Sequence, residues 1–442
     1  MERPNILFLI SDEHRADVTG FNGNSIIKTP SLDWIAKDGA VFDNAYCPSP
    51  ICVPGRQATM AGQYCHTCGC MTWCDLPPGH MTIARQFTRY AYNTIACGKL
   101  HHQGQDPYMG FIKCIGNHEA ANTALLPDLI KEEYKKYEIP LGTLKWSMAK
   151  EVRRAAAGNS MRDFDDEYNL QGALKVVDNY FVDPYYDRET PQQPLFLYYG
   201  TLAPHYPFIA EEKKFRYYLP RVKPYINQQV FRQEFQDSTI AEIGKDVSER
   251  EVRRATAAYY AMIESVDERI GRLMDAIRFA GQDLDDWIII YASDHGEMLG
   301  ERCVWDKQKF FEGSVKVPLV IRYPKKIRPG RVKQNVSLID LFATLCELCG
   351  IPAPGGLDSR SLVPLAGGDV QGWENETGSQ FMGKNLMIKR DNLKYIYFKN
   401  SGSELLYDLE KDPAELNNFG NEPQFASQME YFRLARKKYG FN

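Results

Sequence analysis

Several things are scarce in this chain of 442 residues, and each scarcity closes off a class of function. Basic charge is not in excess: 53 Lys and Arg stand against 57 Asp and Glu, a net charge of -4. Nucleic acids and anionic membrane surfaces usually select the opposite balance, so neither is expected as a partner. No apolar run approaches the length of a transmembrane helix. No secretory leader is visible either. In the opening MERPNILFLISDEH the apolar stretch runs only from Ile6 to Ile10, and Asp12 and Glu13 follow at once. That stretch reads as a first buried strand, and the chain is expected to stay in the cytoplasm. Low-complexity segments and internal repeats are also missing.

A disulfide framework is the next absence. The 11 cysteines are an odd number in a long chain, and in a reducing compartment most are expected as thiols. The Asn-x-Ser/Thr triplets at Asn335 and Asn375 then carry no meaning. Cys65, Cys68, Cys70 and Cys74 crowd into CHTCGCMTWC. A structural zinc or iron–sulfur site is one reading. Reduced thiols are the favoured one, because no second ligand pair stands at a finger spacing. Cys346 and Cys349 lie one helical turn apart and are expected in the core.

What is present is the composition of an ordinary globular protein, 44% hydrophobic and 25% charged. The length allows one large domain and a smaller one. Four short apolar runs end in polar clusters: Asn5 to Ile10 before Ser11-Asp12-Glu13-His14, Asn93 to Ala96 before Cys97 to His102, Leu195 to Tyr199 before GTLAPHYPF, and Trp287 to Tyr291 before Ala292 to Gly296. Continuous apolar runs mark strands buried on both faces. Between them lie helical patterns. The clearest spans Ser248 to Ala280, with Val252, Ala255, Tyr259, Met262, Ile263, Val266, Ile270, Leu273, Met274 and Ile277 on one face and a capping box at Ser248 and Glu251. Another covers Leu338 to Leu348. Alternating strands and helices predict an α/β sandwich around a large, mostly parallel sheet. After about Gly367 the pattern becomes a short antiparallel sheet and a C-terminal helix, Pro423 to Lys438. The expected division is a catalytic domain over residues 1–366 and an α+β subdomain over 367–442.

Ligands in such sheets bind beyond the carboxyl ends of the strands, where the four polar clusters fall. Asp12, Lys99, His101, His205, Asp294 and His295 could therefore converge. Two carboxylates and an imidazole suit a divalent cation. Taken singly, an aspartate after a strand is more often a cap or turn residue. Lys99 and His101, two apart on an extended segment, would share a face. With His205 and Lys307 they could form a positive cradle for an anionic ester, and histidine offers a proton near neutral pH. Cys52, in SPICVPGRQATMAGQY, could be a thiol nucleophile with His101 as its base. Thiol chemistry, however, gives no reason for Pro54 and Arg56 at their fixed offsets.

Cys52-Val53-Pro54-Gly55-Arg56, followed by Met60-Ala61-Gly62, resembles the signature of the type I sulfatases. Five further segments resemble family elements in the same order: PNILFLISDEHRAD, Gly98-Lys99-Leu100-His101, Pro204-His205-Tyr206-Pro207-Phe208, Ser293-Asp294-His295-Gly296, and Asp306-Lys307 eleven residues before Pro318. VSLIDLFATLCELCGIP and SELLYDLEKDPAELNN fit the downstream pattern, so the likeness spans nearly the whole chain. It implies an alkaline-phosphatase-like α/β sandwich. It also implies that a maturase reads the C-x-P-x-R segment and oxidises Cys52 to Cα-formylglycine, whose hydrate attacks sulfur.

The resemblance further implies one divalent cation, calcium or manganese, on Asp12, Glu13, position 52, Asp294 and His295. Lys99 would stabilise the sulfate oxygens, and His205 with Lys307 the leaving alcohol. His101 would take the second hydroxyl's proton, and Arg56 would orient position 52. The implied substrate is a small sulfated molecule, a saccharide by family frequency. The alternatives are a choline-sulfatase-like activity or a phosphonate or phosphate ester hydrolase of the same superfamily. Four positions depart from the common pattern: Glu13 for aspartate, His295 for asparagine, Gly55 for serine and Ala61 for threonine. The stretches Gly104 to Leu141 and Phe215 to Glu249 are expected as specificity loops.

Overall fold

A computed structural model describes residues 3–101, 106, 108–116, 147–182, 193–226, 228 and 239–441. In chain order its strands are β1 (Ile6–Asp12), β2 (Ala40–Tyr46), β3 (Asn93–Gly98), β4 (Lys113–Ile115), β5 (Ala156–Ala157), β6 (Leu195–Pro204) and β7 (Ile209–Ala210). They continue with β8 (Ile288–Ser293), β9 (Leu319–Arg322), β10 (Gly330–Ser337), β11 (Glu376–Phe381), β12 (Asn385–Arg390), β13 (Leu393–Phe398) and β14 (Ser403–Asp408). Eight strands form one sheet in the order β10-β2-β9-β8-β1-β6-β3-β4. Every pairing in it is parallel except those of β9 with β2 and β8.

The apolar runs are continuous because both faces of this sheet are covered. Along β1, Ile6, Phe8 and Ile10 join one hydrophobic cluster while Leu7 and Leu9 join another. Along β8, Ile288 and Ile290 divide from Ile289 and Tyr291 in the same way. The second face is closed largely by the helix Glu249–Phe279, in which all ten residues of the predicted apolar stripe are buried. Its start carries the predicted capping box, with Ser248 accepting from the Glu251 backbone and Glu251 from that of Ser248. Among the described residues no helix is long and apolar enough to cross a membrane.

The second sheet is antiparallel, in the order β11-β12-β13-β14. Leu386, Ile388, Tyr395 and Leu406 pack beneath Met429 and Phe432 of the helix Ala426–Ala435. From its other face Met387, Ile396, Phe398, Leu405 and Tyr407 enter the main cluster. Alternation along the strands thus serves two cores at once.

Several expected boundaries shift. The segment from Leu338 divides into a 3-10 turn, Leu338–Asp340, and an α-helix, Leu341–Leu348. β6 and β8 run further than their apolar cores, because the polar residues that follow keep the backbone ladder. Phe215 to Tyr218 are not loop: they close the helix Glu212–Tyr218, which packs on Glu249–Phe279. Most of Gly104 to Leu141, and residues 227 and 229–238 of the other expected loop, lie outside the described residues.

Candidate active site

β1, β3, β6 and β8 are adjacent and parallel, so their carboxyl ends deliver Asp12, Lys99, His205 and Asp294-His295 to one edge. Lys99 gets there through Gly98, whose φ of 85° is left-handed and whose absent Cβ would stand 2.1 Å from the Gly200 carbonyl oxygen. Only glycine fits that turn. Because β3 ends there and His101 is itself left-handed (φ 57°), Lys99 and His101 are not on one regular strand face. The expectation from alternation fails here. The Lys99 ammonium donates to Asp12 Oδ2, whereas the His101 ring packs edge-on against Trp73, centroids 5.3 Å apart.

Cys52 opens the helix Cys52–Ala61, every residue of which is buried. A helix N-terminus carries partial positive charge and suits an anion. Gly55 lies where a Cβ would come 2.9 Å from the Ser49 carbonyl oxygen, so a side chain there would push the preceding loop. Arg56, one turn after Cys52, is 2% exposed. Its Nε donates to Asp294 Oδ2 (2.7 Å), and Nη1 donates to the Lys99 carbonyl (2.9 Å) and the Tyr198 hydroxyl (2.8 Å). One guanidinium thus ties β6, β8 and the end of β3 to the Cys52 helix.

Asp12, Cys52, Asp294 and His295 are all buried, with one ligand-type atom of each within 4.8 Å of all the others. Cys52 Sγ, which occupies the place of an oxygen if this side chain is oxidised, is 3.1 Å from His295 Nε2 and 3.7 Å from Asp12 Oδ1. His295 Nδ1 faces the Gly296 carbonyl (2.9 Å), which assigns it the proton and leaves the Nε2 lone pair toward the cluster. Two carboxylates, one imidazole and one further donor fit a divalent cation.

Glu13 belongs to a neighbouring cluster with Glu297 and Asp306. Its backbone is left-handed (φ 69°). Its amide donates to Asp294 Oδ1 (3.1 Å) while Oε2 receives the Lys307 ammonium (3.2 Å) and lies 3.6 Å from His205 Nε2. The expected place of Glu13 among the metal ligands is therefore not where its carboxylate is found. Lys307 and His205 do meet, across Glu13. His205 stands between two cis peptide bonds, Ala203-Pro204 and Tyr206-Pro207, with Nδ1 on the Tyr206 carbonyl (2.8 Å).

The charges follow from burial and neighbours. Burial alone would raise the Asp12 carboxyl, but Lys99 and the other cations around it hold it well below the usual range. Burial is also the main force lifting Glu13 well above the ordinary value, against Lys307, with Glu297 and Asp306 adding to the rise. Burial, Lys307 and Arg162 keep His205 well below the usual histidine value. Burial would lower Lys307, yet Cys52, Glu13 and Asp306 keep it a firm cation. The Cys52 thiol is pushed up to about 12 by burial and then by Asp12, which opposes the thiolate a cysteine nucleophile needs. A cavity of about 600 Å³ lies elsewhere, lined by balanced charges that include Arg15, Asp43, Arg331 and Glu410.

A family model described as Sulfatase matches residues 4–351. The chain belongs to the sulfatase family. It is a sulfuric ester hydrolase. A second model, described as N-sulphoglucosamine sulphohydrolase, C-terminal, matches residues 300–437 of this sulfatase. Among relatives, it is 29% identical to an arylsulfatase of Clostridium perfringens, over 98% of this chain and 93% of that one. It is 30% identical to a choline-sulfatase of Rhizobium meliloti, over 96% and 83%. Among solved structures, the phosphonate monoester hydrolase of Agrobacterium radiobacter superposes with a TM-score of 0.77 at 25% identity, covering 99% of this chain and 95% of that one. A protein solved with its substrate D-glucosamine-2-N,6-O-disulfate superposes at 0.76 with 19% identity, covering 99% and 98%, a likeness of fold alone.

The sulfatase site also contains residues that sequence reasoning passed over. Tyr198, the fourth residue of LFLYY, hydrogen-bonds both Arg56 and the Lys99 carbonyl. Glu297 directly follows the Ser293-Asp294-His295-Gly296 element but is not part of it, and it groups with Glu13 and Asp306. Arg162, from a helix start far from any motif, sits close enough to His205 to oppose its charge. Among the described residues the four clustered cysteines form no metal-ligating group, and all eleven cysteines are free thiols. Cys346 and Cys349 are buried in the core, as expected.

Proposed function

We propose that this sulfatase releases inorganic sulfate from a small sulfated saccharide, with position 52 as its nucleophile and Asp12, Asp294 and His295 completing a cation site. The carrying observation is the place of Cys52: the first turn of a buried helix, 3.1 Å from the lone-pair nitrogen of His295 and 3.7 Å from the Asp12 carboxylate. When present, a divalent ion would polarise the sulfate oxygens, and a formylglycine hydrate at position 52 would supply the attacking hydroxyl. Arg56 fixes the position of Asp294 and the helix. Lys99 presents a cation beside Asp12 for charge gathering on the sulfate. Lys307 provides a lasting positive charge on the leaving-alcohol side. Burial and Lys307 hold the His205 proton affinity low, and an arriving sulfate monoanion raises it, as any nearby negative charge does. His101, a loop residue close behind Lys99, is assigned the proton from position 52. The saccharide is supported by the disulfated glucosamine bound to one structural neighbour and by the N-sulphoglucosamine sulphohydrolase likeness of the C-terminal part.

The test is the mass of the tryptic peptide Asp38 to Arg56 from protein made with and without a formylglycine maturase, alongside turnover of sulfated sugars. Conversion of Cys52 to an aldehyde, with hydrolysis only after conversion, is the expected result. An unchanged thiol under a maturase that converts a control sulfatase would overturn the reading. The likeness to a phosphonate monoester hydrolase supports a second reading. A phosphonate monoester assayed in parallel decides it, the sulfate ester being expected to have the higher kcat/KM.

A further inference from the structure

The cysteine-rich stretch CHTCGCMTWC has no part in the site as described, yet it is built around it. It follows the Cys52 helix after Gly62 and stays against it, since the Cys65 thiol touches the Pro54 carbonyl (3.8 Å). After Gly69, left-handed at φ 80°, the chain folds into a tight loop. The Cys70 thiol donates to the Cys74 carbonyl (2.6 Å), and the Cys74 amide to the Thr72 carbonyl (2.8 Å). The small antiparallel sheet braces this loop from behind: Gln380 Nε2 donates to the Met71 carbonyl (3.4 Å), and Met71 packs beside Gly383. The bracing ends in Trp73, whose indole lies edge-on to the His101 ring and still leaves 45% of the residue in water. Met71, two residues earlier, is 38% exposed.

A large aromatic face held on a braced loop, against a proposed catalytic imidazole, is costly to leave in water and apt for a flat partner. We propose that Trp73 is a specificity-determining residue, its indole forming the wall against which the six-membered ring of the ester's alcohol half lies. The inference rests on the sulfatase site proposed above and adds the partner's shape. A pyranose offers axial C–H groups to an indole, and an aryl ring offers its own face. Both present the same flat apolar surface, so both serve as probes. Cys65, Cys68 and Cys70 then act as small, buried packing groups that hold the indole up, without ligating metal.

The experiment compares Trp73→Ala and Trp73→Phe with the matured wild type on D-glucosamine 6-sulfate and 4-nitrophenyl sulfate, with inorganic sulfate as competitive inhibitor. Trp73→Ala is expected to raise KM about tenfold for at least one ester while the sulfate inhibition constant moves less than about twofold. Trp73→Phe should recover most of the loss. Whichever ester responds more identifies the ring, saccharide or aryl. A fall in kcat with KM unchanged, or equal weakening of sulfate and ester, would mean that Trp73 acts through His101 or the fold and would overturn the proposal. If the matured wild type hydrolyses neither ester, the sulfatase reading of the site fails separately. The nitrogen-15 indole signal of Trp73, assigned with Trp73→Phe, then decides. A shift on titrating either ester, absent with sulfate alone, upholds the wall, and no shift overturns it.

Discussion

Two buried charge networks of this protein are built to opposite ends. In the seam between the two sheets, Lys394 is fully buried and donates to Glu415 (2.8 Å) and the Phe310 carbonyl (2.8 Å), with Glu312 at 2.6 Å. The Glu312 amide in turn donates to the other oxygen of Glu415 (2.8 Å). That network closes on itself. In the active site the groups are as deeply buried, but their geometry is open. Asp12 and Asp294 share one edge with a thiol and a lone pair on His295, and Lys99 and Lys307 face the same space. Burial makes every unmatched charge expensive. A closed network turns that cost into a fixed seam, whereas the active site gathers its ion pairs around one shared space.

The widest separation between the two networks should come from one substitution in each. Cys52→Ala is expected to lower kcat/KM for a sulfate ester by at least about 10⁴-fold while the melting temperature stays within about 1 °C. Lys394→Met leaves the buried Glu415 carboxylate without its cation, while the half-buried Glu312 keeps Lys316. It should cost about 3–5 kcal/mol in urea unfolding, with the surviving folded fraction turning over normally. If Cys52→Ala unfolds the protein, or if Lys394→Met spares stability and removes activity, the division of labour is wrong.

A smaller effect concerns Asp166, which accepts from the amides of Leu202 (2.6 Å) and Ala203 (2.9 Å) just before His205. Burial raises its carboxyl to about 6 in spite of Arg269. A folded value above the unfolded one means that the folded state holds the proton more tightly. Its stabilising contribution is therefore complete below about pH 4 and lost as pH rises through about 6. Wild type should lose about 3 kcal/mol relative to Asp166→Asn between pH 4 and pH 7.5, read from paired urea curves. A constant gap would show that Asp166 stays ionised throughout.

The smallest effect is on the open network alone. Calcium or manganese at about 100 times its dissociation constant should stabilise the wild type by about 2.7 kcal/mol and leave Asp294→Asn unmoved. An equal rise in both would move the cation away from the Asp12–His295 cluster.

Much of this was legible beforehand because it depends on local rules. The four buried strands, the Ser248 cap and the ten-residue apolar stripe follow from period and capping chemistry. The convergence of Asp12, Lys99, His205 and Asp294 follows from where parallel strands end. Other features depend on single torsions and on distant partners. Glu13 follows Asp12 directly, and adjacency suggested a shared ion. A left-handed φ at Glu13 instead sends its carboxylate to Glu297 and Asp306, almost 300 residues further along the chain. His101 reads as a strand neighbour of Lys99 until the turn at Gly98 is seen. Trp73 was visible only as one letter in a cysteine-rich run, because nothing local ties it to His101.

The order of strands has a consequence in time. β1 is made early, yet it lies in the middle of the sheet, with β6 on one side and β8 on the other. Ile6 waits for Ile288, about 280 residues later, and at roughly 5–20 residues per second a ribosome needs tens of seconds to supply it. Until then the Cys52 helix has neither Asp294 above it nor Phe342 against Gly62. In the finished protein Cys52 is 1% exposed. The topology itself therefore sets a clock: the surroundings of position 52 are complete only after β8 docks.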